Sequence, residues 1–295
     1  MTEMELFTRV GIRPETAAPA KKQKRFADFP WISVGLLGII VLCCLFAELL
    51  MTKDPAYLDL QNCNTAPNAE FLFGTDTLGR DIFSGIWYGG RISITIGFLA
   101  TLISTAIAII YGSVSGIAPV WLDALLMRFT EVFLSVPGLL IVLFLQAILG
   151  EANVLSLSLV IGVTGWPGIA KVIRTEVRQL RNSEYVVASK CMGGGFFHIL
   201  RKHLTPNFIA SIMFMVVMHV RSAIGSESTL SFMGMGLGLE TISWGSMLSL
   251  AEKALLTGSW WIILIPGAFL VTQLMCLTNI GNYLRKHANR KEGNL

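Results

Sequence analysis

"EYVVASKCMGGGFFHILRKHLTPN", residues 184–207, is a basic, glycine-broken and proline-closed interruption in an otherwise apolar chain. Ser183 can cap a helix, and Glu184 suits the positive end of one. Tyr185, Val186, Ala188 and Met192 give that helix apolar contact area. Gly193, Gly194 and Gly195 end it and permit a sharp turn. Phe196, Ile199 and Leu200 begin a second apolar face, with Arg201, Lys202 and His203 beside it. Pro206 is expected to stop this second helix before the next apolar segment begins. The pattern predicts a short helical hairpin with a mixed, cationic face. It suits an amphipathic loop resting on anionic lipid, or a docking surface for a partner.

The segments around it are apolar. The chain has 295 residues, 53% hydrophobic and 14% charged, with mean hydropathy +0.63. A soluble domain carries about 25% charged residues, so the balance points to a membrane protein. A span needs about 20 apolar residues. Six stretches meet this: 31–50, 92–117, 129–149, 154–170, 208–233 and 260–281. The apolar run from Trp31 lacks a small-x-small site after it and is expected to be a span, not a cleaved signal.

Charge sets the orientation. Most of the 23 basic residues lie in three segments. Residues 1–30 carry Arg9, Arg13, Lys21, Lys22, Lys24 and Arg25. Residues 171–206 carry Lys171, Arg174, Arg178, Arg181, Lys190, Arg201 and Lys202, and the tail carries Arg285, Lys286, Arg290 and Lys291. Six spans put all three on one side, the cytoplasm. The expected organisation is a basic cytoplasmic segment 1–30, a membrane domain 31–284 with an acidic external loop 51–91 and the hairpin 184–206, and a cytoplasmic tail 285–295.

No motif speaks for an enzyme. Cys43, Cys44, Cys63, Cys191 and Cys276 show no CxxC spacing, and His198, His203, His219 and His287 are scattered. Neither a metal site nor a catalytic constellation is expected. "GTDTLGRD" (74–81) nearly spells a phosphate-binding loop, but Arg80 replaces the lysine and Asp81 replaces the hydroxyl that would hold magnesium. A glycine-rich external turn leading into an interfacial helix is expected instead, with Trp87 and Tyr88 in the aromatic belt. Any nucleotide-driven energy must come from another chain. Ala100, Ser104, Ala108, Gly112 and Gly116 recur every four residues, a stripe for close helix packing. Pro137, Pro167 and Pro266 fall inside spans, where each can kink its helix.

Span five carries the costly residues His219, Arg221 and Glu227, candidates for a pathway through the bilayer. His219 and Arg221 lie about 200° apart around the helix, so both cannot face one narrow pathway. Arg221 is expected to line it and His219 to pack against a neighbour.

Residues 74–93, "GTDTLGRDIFSGIWYGGRIS", resemble the G-T-D-x-L-G-R-D…Y-G-x-R-x-S signature of the dipeptide/oligopeptide/nickel permeases of ABC transporters. "GWPGIAKVIRTEVRQLRNSEYV" (165–186), "ESTLSFMGMG" (227–236) and "SWGSML" (243–248) fit the same family in order. Ala188, Gly193 and Pro206 match its EAA loop in spacing, and Glu227 matches a family position. The chain looks like the C-type subunit. The resemblance implies the type I ABC importer permease fold, an all-α membrane protein with six transmembrane helices. It also implies that 184–206 is a coupling helix seated on an ATPase, with Glu184, Tyr185, Ala188, Gly193, Gly194, His203 and Pro206 at the contact. A B-type permease, two cytoplasmic ATPases holding ATP and Mg, and an external solute-binding protein are the implied partners, with the bilayer and without nucleic acid. The cargo would be peptides, nickel or metal chelates, carried across a bacterial inner (plasma) membrane. The chain itself is expected to bind no cofactor. An ion-coupled secondary transporter is the alternative. It would want paired half-sites with intramembrane carboxylates, and no such repeat is present.

Overall fold

The structure is a computed structural model that describes residues 29–238, 240–250, 254–255 and 257–292. Most of segment 1–30 and the last residues of the tail therefore lie outside the described residues. Among those described, the chain is helical, and its one β-type pairing is an isolated bridge between Thr75 and Asp81.

An apolar helix α1 (Trp31–Leu45) and a short α2 (Ala47–Leu50) lead into the loop 51–81. That loop is built around the "GTDTLGRD" stretch. Asp76 accepts from the Leu78 and Arg80 backbone N–H groups at 2.8 and 2.9 Å and from Arg80 Nε at 2.7 Å. Gly79 has φ +77°, and a Cβ there would lie 1.8 Å from the Asp59 carbonyl oxygen. Asn62 donates to the Asp59 carboxylate and holds its pKa below the usual value. The loop fastens to the bundle where Trp261 Nε1 donates to the Thr75 carbonyl at 3.1 Å. Asp81 then caps α3 (Ile82–Ile117), accepting from Ser84 N at 3.0 Å. Each residue that imitated a phosphate loop thus serves a tight turn and a helix start.

At 36 residues, α3 is the central helix. It packs along α6 (Val154–Leu180) through its small-residue stripe. Ala100, Ser104 and Ala108 are fully buried. A Cβ on Gly112 would sit 2.6 Å from the Ala170 carbonyl oxygen, and one on Gly162 would sit 2.9 Å from that of Ala100. Backbones this close gain dispersion along their whole length, the packing that holds helices together in lipid.

The stretch expected to form the third span is instead two helices, α4 (Val120–Ser135) and α5 (Gly138–Leu149), bent by 87°. Pro137 has no N–H to continue the ladder and forces Val136 into an extended conformation. Pro167 and Pro266 lie inside continuous helices, α6 and α11 (Trp261–Glu292). By length and composition, α3, α6 and α11 can each cross a membrane, and four crossings result if the bent α4–α5 pair counts as one. Helix α1 is a shorter apolar helix, and the 28-residue α9 (Thr205–Phe232) carries the ionisable residues.

Between α6 and α9 lie α7 (Glu184–Cys191), α8 (Phe196–Ile199) and a π-helical turn (Leu200–Leu204). The turn runs directly into α9, so Pro206 does not stop the second helix. The Thr205 N–H reaches back five residues to Leu200 O. This wider register puts Pro206 in the first turn of α9, where its missing N–H leaves no gap. Ser183 also differs from expectation: its hydroxyl donates to Leu180 O at 2.6 Å, closing the end of α6. A short α10 (Trp244–Leu248) follows α9, capped by Ser243 in a reciprocal box with Ser246.

Candidate functional site

Three places concentrate the polar chemistry. The first is the hairpin. Along α7, Val186 and Ser189 face inward, while Glu184, Tyr185, Val187, Ala188 and Met192 face out, Met192 at 83% exposure. Gly193 adopts φ +83° with open space around its missing Cβ. Gly194 is tight against Ser189, where a Cβ would fall 2.8 Å from the carbonyl oxygen. Ser189, Met192, the three glycines and His198 line a shallow depression of about 350 Å³. The side chains of His203 and Pro206 lie outside the described ones.

The second place is a clasp beside the hairpin, which sequence reasoning missed. Asp123 on α4 accepts from Arg174 through both Nε and Nη2, from Arg178 at 3.0 Å and from Ser115 at 2.6 Å. Arg181 adds a bond to the Gly116 carbonyl at 3.2 Å. The ends of α3 and α6 and the start of α4 are thereby tied together immediately before α7. The available signal was a lone acid in the short segment after α3, with arginines four residues apart on α6.

The third place is α9. Glu227 is fully buried, and four hydroxyls point at its carboxylate: Ser93 (3.1 Å), Ser228 (3.3 Å), Ser231 (3.0 Å) and Ser243 (2.7 Å). Ser93 in turn accepts from Trp244 N at 3.2 Å. The carboxylate therefore joins α3, α9 and the cap of α10. Hydrogen bonds of this kind offset the burial of a polar group. His219 lies over Gly165 of α6, where a Cβ would fall 1.8 Å from its Nε2, and its Nδ1 pairs with Thr101 Oγ1 of α3 at 3.0 Å. Arg221 points elsewhere. It makes no hydrogen bond or ion pair among the described residues, and its Nε is buried. The structure thus separates the three span-five candidates into two core contacts and one cation without a partner among the described residues. No group of three or more His, Cys, Asp or Glu side chains able to hold a metal occurs among the described residues.

A family profile described as "Binding-protein-dependent transport system inner membrane component" matches residues 108–289. The chain belongs to this family. It is a permease subunit of an ABC importer, a conduit and not an enzyme, and a multi-pass membrane protein. The permease is similar to the dipeptide transport system permease protein DppC of Bacillus subtilis, 36% identical over 257 residues, covering 85% of this chain and 80% of the relative. The oligopeptide transport system permease protein OppC of the same organism is 35% identical over 263 residues, with 88% and 86% covered. OppC of Haemophilus influenzae is 34% identical over 262 residues, with 88% and 84% covered. The matched region of the permease contains the clasp, the hairpin and all of α9.

Proposed function

We propose that the permease forms half of the translocation pathway for peptides delivered by an external solute-binding protein, and that residues 184–206 are the seat for a cytoplasmic ATPase. The other half is a homologous B-type permease. ATP and Mg act on two ATPase subunits, and both termini of this chain face the cytoplasm, the side to which the positive-inside rule assigns the basic segments. The named cargo of the relatives supports peptides over nickel or metal chelates.

The observation that carries the docking surface is the two-sidedness of α7. Val186 and Ser189 anchor it to the bundle, and Glu184, Tyr185 and Ala188 are presented outward. The clasp fixes the end of α6, and the π turn runs unbroken into α9. A push on α7 therefore reaches α9 through the glycine turn 193–195, α8 and the π turn. Gly193 and Gly194 make the turn possible, while His203 and Pro206 occupy the joint.

The test is Gly193→Val. No atom lies within 4 Å of the missing Cβ, so the substitution meets backbone strain alone, about 1–2 kcal/mol for an L residue in the left-handed region. Uptake should fall while membrane insertion and the binding protein's affinity for peptide stay unchanged. Full uptake by a Gly193→Val transporter that assembles normally refutes the placement of the turn. The chain purified alone should show no ATP hydrolysis and should gain it only with its ATPase partners; steady hydrolysis by the chain alone removes the reading.

A further inference from the structure

Exposed positions on the helices are mostly bulky and apolar, such as Phe98 and Ile110 on α3, Phe144 and Ile148 on α5, and Leu264 and Val271 on α11. Helix α9 changes character along its length. Its first half exposes Ile209 and Met213, but from Ser222 to Thr229 it exposes Ser222 and Thr229, with Gly225 between them partly open, before Phe232 is exposed at its end. Arg221 lies at the edge of this small, hydroxyl-bearing face. A Cβ on Gly225, one turn beyond Arg221, would meet nothing within 4 Å. Lipid is a poor neighbour for such a face, and a poorer one for a guanidinium.

Arg221 sits roughly 24 Å along α9 from its start at about 1.5 Å per residue, past the middle of this 28-residue helix. No described residue neutralises it. Glu227, the carboxylate on the same helix, is occupied by its four serines. The described ion pairs engage Glu48, Glu70, Asp76, Asp123 and Glu131 with other cations. A planar donor fork without a partner among the described residues, one turn from the open space at Gly225, fits a bidentate carboxylate.

We propose that Arg221 binds the C-terminal carboxylate of the peptide in transit, with Ser222 and the open space at Gly225 receiving the last residue. The proposal rests on the peptide-permease reading above. It makes the chain a reader of the peptide's end group, a preference separate from that of the binding protein.

The experiment uses the complete transporter with its binding protein in lipid vesicles. Uptake of one peptide is compared as the free acid and as the C-terminal amide, for the wild type and for Arg221→Gln and Arg221→Lys. The binding protein's own preference is the same in all three and cancels from the comparison. Arg221→Gln should lower the acid-to-amide uptake ratio by about ten- to a hundredfold, the worth of hydrogen bonds to a charged group, and Arg221→Lys should retain part of it. An acid-to-amide ratio unchanged in Arg221→Gln overturns the proposal. So does a variant that no longer assembles, which would make Arg221 the ion-pair partner of a neighbouring subunit. A wild type that carries neither form overturns the peptide reading, and the proposal with it.

Discussion

The seat of His219 on Gly165 allows a test in which one substitution changes sign. Alanine at Gly165 places a Cβ 1.8 Å from His219 Nε2 and 2.7 Å from Cε1. The imidazole has to leave its position, which overpacks the α6–α9 contact at about 1–3 kcal/mol. It also gives up the 3.0 Å contact with Thr101, a loss of about 0.5–1.5 kcal/mol. Against this, Gly→Ala inside a helix gains about 0.8–1 kcal/mol. The net expectation for Gly165→Ala is destabilisation by about 1–3 kcal/mol. In a His219→Ala background the obstacle is gone and only the propensity gain remains, so the same Gly165→Ala should stabilise by up to about 1 kcal/mol. The assay is the thermal unfolding midpoint of the detergent-solubilised complex for the four members of the cycle. Contacting residues are expected to couple in this way and distant ones are not. Equal losses on Gly165→Ala in both backgrounds would refute the placement of His219 over Gly165.

Three further outcomes follow from the same geometry. Gly79→Val combines a left-handed backbone, about 1–2 kcal/mol, with a Cβ 1.8 Å from a main-chain oxygen; it should open the loop that precedes α3, read as faster proteolysis of that loop in the detergent-solubilised complex. Asp123→Asn weakens the bonds to Arg174, Arg178 and Ser115 and should lower stability by about 1–3 kcal/mol, whereas Arg178→Ala, whose side chain is 41% exposed, should cost less than about 1 kcal/mol; thermal unfolding of the complex compares them. Gly225→Leu should lower uptake without lowering the melting temperature, because nothing lies within 4 Å of its missing Cβ. Gly97→Leu, whose Cβ would fall 2.4 Å from Ile224 Cγ1, should instead destabilise the fold.

What the sequence determined by itself is whatever follows from one residue and its covalent neighbours. Hydropathy marks the membrane segments, because the transfer cost of an apolar run depends on its own composition. The turn at 193–195 was legible because only glycine takes φ +83° without strain. The stripe from Ala100 to Gly116 was legible because helical periodicity places its members on one face. Three prolines looked alike, and tertiary structure set them apart. Pro137 lies at an 87° bend, while Pro167 and Pro266 lie inside helices, since neighbouring helices decide whether a freed carbonyl opens into a break. Pro206 could be read as a stop until the π turn showed how a five-residue register absorbs it. His219, Arg221 and Glu227 were legible as costly residues, but not the partners that satisfy them. Ser93 lies 134 residues from Glu227, Thr101 lies 118 from His219, and Arg174 lies 51 from Asp123. A hydrogen bond acts over about 3 Å, so which distant groups come within that reach is fixed by helix packing alone. That packing leaves Arg221 without a partner among the described residues.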